Sequence, residues 1–197
     1  FHWNPPKHDF GPLFAGITAS VNEATTWRRK IQEHDEGAYD QRRAAWRESE
    51  DDLNDPRLIG DLCGAAFFGR EKDKERENLR LVYLDKVEKW KAKTAQTSEL
   101  RGIVEELRGG NRPVLPFHWE IEFPEVFGRG NPGFDAVLGN PPFMGGRKIS
   151  TAFGSEYLSL LLEQSPGTGN TCDLVAHFFR RAFRILRERS TMGLVAT

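Results

Sequence analysis

The residues best suited to chemistry in this chain are Asn140, Pro141, Pro142 and Phe143, which form one short run. Each proline fixes its own φ at about −65° and removes a backbone N–H donor. Each proline also favours extended geometry in the residue before it. The run is therefore predicted to be a stiff loop that offers carbonyl oxygens without competing donors.

Such a loop could hold a planar exocyclic amine during a group transfer. The nitrogen of an aromatic amine is a poor nucleophile because its lone pair is delocalised into the ring. The Asn140 side-chain oxygen and the Pro141 carbonyl could accept its two protons and aim the lone pair at an incoming methyl group. Phe143 could stack on the ring, which contributes ~1–3 kcal/mol for a nucleobase. On its own, the run is more typical of an ordinary turn after a strand.

The elements around the loop favour the chemical interpretation. The largely apolar run Phe134–Leu138 predicts a strand over Phe134–Gly139, as in a parallel sheet buried on both faces, and Gly139 permits close backbone approach just before the loop. Helices are predicted over residues 155–164 and 173–188, followed by a strand over residues 191–196. This order is that of a βαβ unit, in which a loop after the first strand can carry a site.

Charged residues near the loop suggest further contacts. Arg147 and Lys148 follow the pair Gly145 and Gly146, and could grip a nucleic-acid phosphate; a solvated loop explains them equally well. Asp173 is predicted to cap the helix that follows it.

A second group of polar residues lies elsewhere in the chain. His118, Glu120 and Glu122 could do acid–base work, although packing of their aromatic neighbours is the preferred interpretation. His177 is predicted to be a hydrogen-bonded core histidine.

The first half of the chain is predicted to be helical over residues 14–107, with Pro56 at a helix start and residues 109–113 ending this part. Residues 118–123 alternate in polarity and predict a short strand or extended arm. The Lys- and Glu-rich stretch 70–93 is interpreted as a solvated helix face rather than a nucleic-acid patch.

Composition limits the remaining choices. The net charge of −1 over 197 residues gives no global basic field, which counts mildly against DNA binding by this part alone. No run is apolar and long enough to span a membrane and no signal-peptide pattern occurs, so a cytoplasmic protein is expected. Cys63 and Cys172 are interpreted as buried thiols in a reducing compartment, and neither has a histidine at metal-binding spacing.

Several segments resemble one family of enzymes. The run Phe134–Phe143 resembles motif IV of S-adenosylmethionine-dependent amino-methyltransferases, and residues 173–182 and 193–197 are similar to their motif V helix and the next strand. Residues 117–127 resemble the segment before motif IV in type IIG adenine-specific DNA methyltransferases of restriction-modification systems. The stretch Asp61–Phe68 resembles the helical insertion that those proteins carry.

The resemblance implies an α/β fold, a fragment of a Rossmann-like methyltransferase sheet with a large α-helical insertion. Residues 1–112 would form the helical subdomain, and residues 113–197 would form part of the catalytic domain from motif IV to motif V. S-adenosyl-L-methionine is the implied cofactor.

The resemblance also implies roles for individual residues: catalytic Asn140, Pro141, Pro142 and Phe143; substrate-binding Gly139, Arg147 and Lys148; and Asp173 near the cofactor. The implied reaction is methylation of N6 of a flipped adenine in double-stranded DNA, within a restriction-modification or phage-defence system that can include other subunits or domains. Asn140, the first residue of the motif, fits an amine with two protons to be accepted. An RNA guanine N2 amine and a protein glutamine amide also fit this requirement, so they remain alternatives. A non-catalytic helical interaction module is the alternative outside enzymes.

The sequence departs from the family pattern in three ways. It has no Gly-rich cofactor loop after a strand, no acidic residue after a second strand and no recognisable target-recognition segment; residues 167–170 are interpreted as a plain loop. No Lys has an acidic residue two positions before it in an Asp/Glu-x-Lys nuclease element, so no nuclease is expected in this chain. We therefore expect the middle part of a larger enzyme, or the ordered part of a longer chain, inactive alone and with most of its cofactor site elsewhere.

Overall fold

The computed structural model describes residues 11–33 and 38–195. Within these ranges the chain has nine helices and two strands. It divides into two compact units, the first ending at Glu125 and the second beginning at Val126. The segment 117–125 is therefore part of the unit that holds the long helices.

The first unit is built from α1 (Gly11–Glu33), α2 (Tyr39–Phe68), α3 (Asp73–Lys91) and α4 (Thr97–Gly109). These helices confirm the prediction for residues 14–107, except that residues 34–37 lie outside the described part of the chain. The prediction that residues 109–113 end the helical half is also confirmed, since α4 ends at Gly109. In the core of the unit, α2, α3 and α4 bury a shared cluster of side chains, namely Ile59, Leu62, Val87, Leu100 and Val104.

Pro56 lies inside α2, so the prediction that it begins a helix is wrong. A proline in a helix interior removes the hydrogen bond to the fourth preceding carbonyl, here that of Asp52. The Pro56 ring is fully buried, as is Leu53 one turn earlier. Burial of apolar surface along this face of α2 offsets the local cost, which sequence preference alone does not show.

Residues 118–123 form a helical turn, not the predicted strand or arm: α5 (Trp119–Glu122) is followed closely by α6 (Pro124–Phe127). The Ile121 and Glu122 N–H groups both donate to the His118 carbonyl, which closes the turn. Arg57 of α2 then holds the Glu122 carboxylate through two hydrogen bonds of 2.8 and 2.7 Å. These backbone bonds and the ion pair with Arg57 hold the segment as a helical turn despite its alternating polarity.

A buried arginine also ties this segment to the long helices. Arg28 of α1 is 7% exposed and donates to the Ser49 hydroxyl at 3.0 Å, the Glu125 carboxylate at 3.1 Å and the Glu122 carbonyl. A buried guanidinium is tolerated only when its donors are satisfied. Arg28 therefore requires both α2 and the α5–α6 segment to be in place.

The second unit contains β1 (Phe134–Gly139), α7 (Gly146–Phe153), α8 (Ser155–Gln164), α9 (Leu174–Ile185) and β2 (Leu186–Leu194). The predictions of β1 and α8 are confirmed at both ends, whereas α7 was not predicted. The two strands pair in parallel, as the βαβ order requires.

The boundary between α9 and β2 differs from the prediction, because residues 186–188 belong to the strand instead of the helix. Leu186 pairs with Phe134, and the Glu188 backbone exchanges hydrogen bonds of 3.2 and 3.3 Å with the Asn131 side chain. Arg187 binds Asp135 of β1 at 2.5 Å. These tertiary contacts override the helical preference of the Arg- and Glu-rich sequence. The predicted end of the strand at Ala196 lies outside the described residues.

The burial predicted for β1 is not observed. Leu138 is 76% exposed, and Asp135 and Ala136 are also exposed. The sheet in the described ranges consists of β1 and β2, which leaves part of each face uncovered. Among the described residues no helix is both long and apolar enough to cross a membrane.

Candidate functional site

The loop from Asn140 to Phe143 starts directly at the carboxyl end of β1. Pro141 is buried, whereas Asn140 and Pro142 are exposed and the Phe143 ring is 47% exposed. The loop thus inserts one proline into the protein and presents an amide and an aromatic face to solvent. These are the two groups that the sequence predicted would contact an amine and its ring.

The start of the loop is fixed by the sheet. Gly139 pairs with Leu194 in the register of β1 and β2. The Val195 N–H donates to the Gly139 carbonyl at 3.0 Å, which extends the pairing to the last residue before the loop. Asn140 therefore leaves from a backbone position that the neighbouring strand holds.

The end of the loop is fixed by α9. The Met144 N–H donates to Asp173 Oδ1 at 3.2 Å, and the Leu174 N–H donates to the Met144 carbonyl at 2.9 Å. The same Asp173 oxygen accepts from the Val175 N–H at 3.0 Å, which confirms the predicted helix cap. Sequence reasoning found the cap but missed the contact with Met144, for which the sequence carries no local signal.

Gly146 brings the chain close to a second segment after the loop. A Cβ atom there would lie 2.4 Å from the Thr171 carbonyl carbon and 2.5 Å from the Cys172 carbonyl oxygen. Contacts this short exclude any side chain unless the backbone moves. The loop therefore ends against residues 170–172 as well as at the start of α9.

Arg147 and Lys148 lie in the first turn of α7, just after the loop, and both are exposed. Neither side chain has an ion-pair partner within the described ranges. Two exposed cations without ion-pair partners can interact with an anion such as a phosphate. The structure thus places the predicted phosphate-contacting residues in the same unit as the loop.

Asp135, inside β1, is engaged structurally. It binds Arg187 at 2.5 Å and Arg129 at 3.0 Å, and these hydrogen bonds, that of Arg187 first, hold the pKa of its carboxyl below the usual range. The pairing joins β1 to the segments on either side of it. Asp135 therefore stays ionised, and its ion pairs stabilise β1 rather than taking part in proton transfer.

The histidine considered for acid–base work lies in the helical unit and is engaged in packing. His118 is 3% exposed, and its Nε2 lies 3.0 Å from Asp61 Oδ1. Arg108 donates to the other Asp61 oxygen at 2.7 Å. A Cβ on Gly60 would lie 2.7 Å from His118 Nε2, so the ring fits only against a glycine. These contacts hold His118 as part of the scaffold.

His177 in α9 is buried, as predicted, but its ring is not satisfied. It is 3% exposed, and neither ring nitrogen has a hydrogen-bond partner of good geometry within the described residues. Burial and the nearby positive charge of Arg180 lower the pKa of His177. The neutral imidazole is therefore the form that the folded unit favours.

No group of His, Cys, Asp and Glu side chains that could hold a metal ion occurs among the described residues. The chemistry available at the loop itself is that of its amide, its carbonyls and its ring.

Comparison with known protein families identifies the family of the chain. The family model described as Eco57I restriction-modification methylase matches residues 52–197, which include most of α2 and the whole of the second unit. The chain belongs to this family. It is thus a restriction-modification methyltransferase, whose implied substrate is DNA, and this confirms the coarse part of the resemblance. No curated protein and no solved structure matches the chain.

Two adjacent glycines allow a matched test of the close approach after the loop. Gly146→Ala should destabilise the protein by ~1–3 kcal/mol, because its Cβ meets the backbone at 2.4 Å. Gly145→Ala is the control, since a Cβ there meets nothing within 4 Å. Urea unfolding of both variants measures the difference, and equal midpoints would contradict the packing described.

The buried His177 makes stability depend on pH. Its pKa is lowered from 6.5, so the unfolded chain takes up a proton first, and stability should fall as the pH drops below about 6.5. The loss is at most about 1.4 kcal/mol per pH unit for one proton.

The test compares the wild type with His177→Leu by urea unfolding at pH 7.5 and pH 5.5. Because the ring makes no good hydrogen bond, the variant should be near neutral at pH 7.5 and should lose less stability at pH 5.5. An unchanged pH dependence in the variant would rule out His177 as the source.

Proposed function

We propose that the second unit carries the amine-binding half of a DNA adenine-N6 methyltransferase site, in which S-adenosyl-L-methionine supplies an electrophilic methyl group. The single observation that carries the proposal is the loop itself. Asn140 and the Phe143 ring are exposed while Pro141 is buried, on a backbone held at Gly139 and at Met144. The site faces outward but cannot move freely.

The residues of the loop divide the work as follows. The Asn140 side-chain oxygen and the Pro141 carbonyl accept the two N6 protons of adenine. Their acceptance draws the nitrogen toward tetrahedral geometry, so that its lone pair can attack the methyl carbon. When bound, S-adenosyl-L-methionine would supply the methyl group from its sulfonium and leave as the neutral thioether, and the methylated nitrogen would lose its extra proton to water. Pro142 stiffens the backbone between the two acceptors and the ring.

Phe143 provides the face against which the base is held. An adenine in duplex DNA must leave the stack before its N6 can be reached, which costs a few kcal/mol. Stacking on an aromatic side chain returns ~1–3 kcal/mol. The exposed Phe143 ring thus offsets a large share of the cost of extruding the base.

Arg147 and Lys148 supply the phosphate contacts, and Gly139 lets the substrate approach the backbone. Because the net charge of the chain is −1, these two cations provide a local positive charge that the whole chain lacks. Asp173 was considered for the cofactor, but its Oδ1 already accepts two backbone N–H groups. In this proposal most of the cofactor is held by other parts of the protein.

The decisive variant is Asn140→Ala in the full-length protein. Loss of one of the two acceptors should lower methyl transfer by at least ~100-fold while cofactor binding is retained, since the amide acts on the transferring nitrogen. Transfer of labelled methyl from S-adenosyl-L-methionine to unmethylated DNA is measured, and the product nucleoside is identified by mass spectrometry. The matched control is Asn111→Ala, an exposed asparagine of the helical unit.

The acceptor panel in this assay includes DNA, ribosomal RNA and a glutamine-containing protein. N6-methyladenine in DNA supports the proposal. Label in RNA guanine or in the protein would instead favour those substrates, and normal labelling of DNA by Asn140→Ala would remove the assigned role of the loop. No transfer to any acceptor by the intact protein would favour a non-catalytic module.

The phosphate contacts are tested by salt dependence. If Arg147 and Lys148 each neutralise one phosphate, replacing both with alanine should reduce the slope of log K against log salt concentration by about 1.8. DNA binding is measured by fluorescence anisotropy over a salt series. The control replaces Lys74 and Arg101, two exposed cations of the helical unit, and should leave the slope unchanged if those residues are only solvated.

A further inference from the structure

The contact between the loop and α9 assigns a role to one residue outside the loop. We propose that Asp173 is a positioning residue for methyl transfer, which acts by holding Met144 and therefore the end of the amine-binding loop. This inference rests on the function proposed above for the loop. It gives Asp173 no contact with the substrate or the cofactor.

The first support is the geometry at a single oxygen atom. Asp173 Oδ1 accepts from the Met144 N–H at 3.2 Å and from the Val175 N–H at 3.0 Å. One donor belongs to the loop segment and the other to the first turn of α9. A carboxylate oxygen can accept more than one hydrogen bond, and bonds to a charged acceptor are stronger than neutral ones. The side chain therefore joins two segments that are far apart in sequence.

The second support is a reciprocal bond beside the first. The Leu174 N–H donates to the Met144 carbonyl at 2.9 Å, so that both backbone polar groups of Met144 are bound at the start of α9. Two bonds in opposite directions fix the orientation of this residue as well as its position. Phe143 is the adjacent residue, so its backbone inherits that constraint.

The third support is the shortness of the loop between its two anchors. The Val195 N–H holds the Gly139 carbonyl at the other end, and two of the residues between the anchors are prolines with restricted φ. Few backbone torsions are left free, so a shift at Met144 must be passed to Asn140 or to Phe143. Misplacement of a reacting group by about 1 Å can cost on the order of 100-fold in rate.

Three substitutions separate the contributions of Asp173. Asp173→Asn keeps an acceptor oxygen for both the cap and the loop. Asp173→Ser keeps the cap, because Ser, Asn and Asp are comparable N-cap residues, but its side chain is too short to reach Met144 as well. Asp173→Ala removes both. The Ser variant is therefore the key test, since α9 remains capped and the protein is expected to stay folded.

The experiment measures kcat and KM for DNA methylation by the full-length protein with each variant, and thermal unfolding of each. Asp173→Ser should lower kcat by about 10- to 100-fold, with the KM values for cofactor and DNA within about 3-fold of wild type. Asp173→Asn should keep kcat within about 3-fold. A residue with a purely structural role would change the unfolding temperature without this selective loss of kcat.

Two outcomes would overturn the positioning role. A kcat for Asp173→Ser within about 3-fold of wild type would show that the contact with Met144 is not needed. A loss in Asp173→Asn as large as that in Asp173→Ser would show that the carboxylate charge itself is used. Both results are compared with the activity of Asn140→Ala. If Asn140→Ala is inactive, the proposed function of the loop stands whatever the role of Asp173. If Asn140→Ala has normal activity, the proposed function itself is overturned.

Discussion

The hydrogen bonds between Met144 and the first residues of α9 are the constraint on which the geometry of the loop depends. Without them, the loop would be held by Gly139, by the buried Pro141 and by the packing of Gly146, but the backbone of Met144 next to Phe143 would have no hydrogen bonds to fix it. The bonds also cost the protein little, because Asp173 already has to cap α9. One side chain thus satisfies a helix end and restricts a loop. In the proposed function, the entropy of holding an amine in place is therefore lost on folding and not during the reaction.

A different kind of constraint organises the helical unit. Arg28 and Arg57 extend from α1 and α2 to the carboxylates and carbonyls of the segment 119–125, and Asp61 holds His118 just before it. These groups are largely withdrawn from water, so each needs its partner to be tolerated. The segment 118–125 is therefore held against the long helices by polar contacts that leave it little freedom.

In the proposed function, the helical unit is the scaffold and the sheet unit carries the chemistry. In the helical unit the buried charged groups Arg28, Asp61 and Arg76 are each bound to polar partners. In the sheet unit Asp135 is paired, but the amide of Asn140 and the cations that follow the loop remain exposed. The match to the Eco57I restriction-modification methylase family covers both the helices after residue 52 and the loop.

The sequence by itself determined the elements whose signals are local: the long helices, β1, α8, the cap at Asp173 and the stiff loop that two prolines impose. Tertiary structure decided the rest, because contacts with residues distant in sequence stabilised conformations that the local sequence does not favour. Burial of apolar surface stabilises Pro56 inside α2, and the bonds of Arg57 stabilise the helical turn at residues 119–122. Pairing with β1 stabilises residues 186–188 as strand instead of helix. The Met144 contact with Asp173 belongs to this second kind: each residue is ordinary in its own segment, and only the fold brings the backbone N–H of one to the carboxylate of the other.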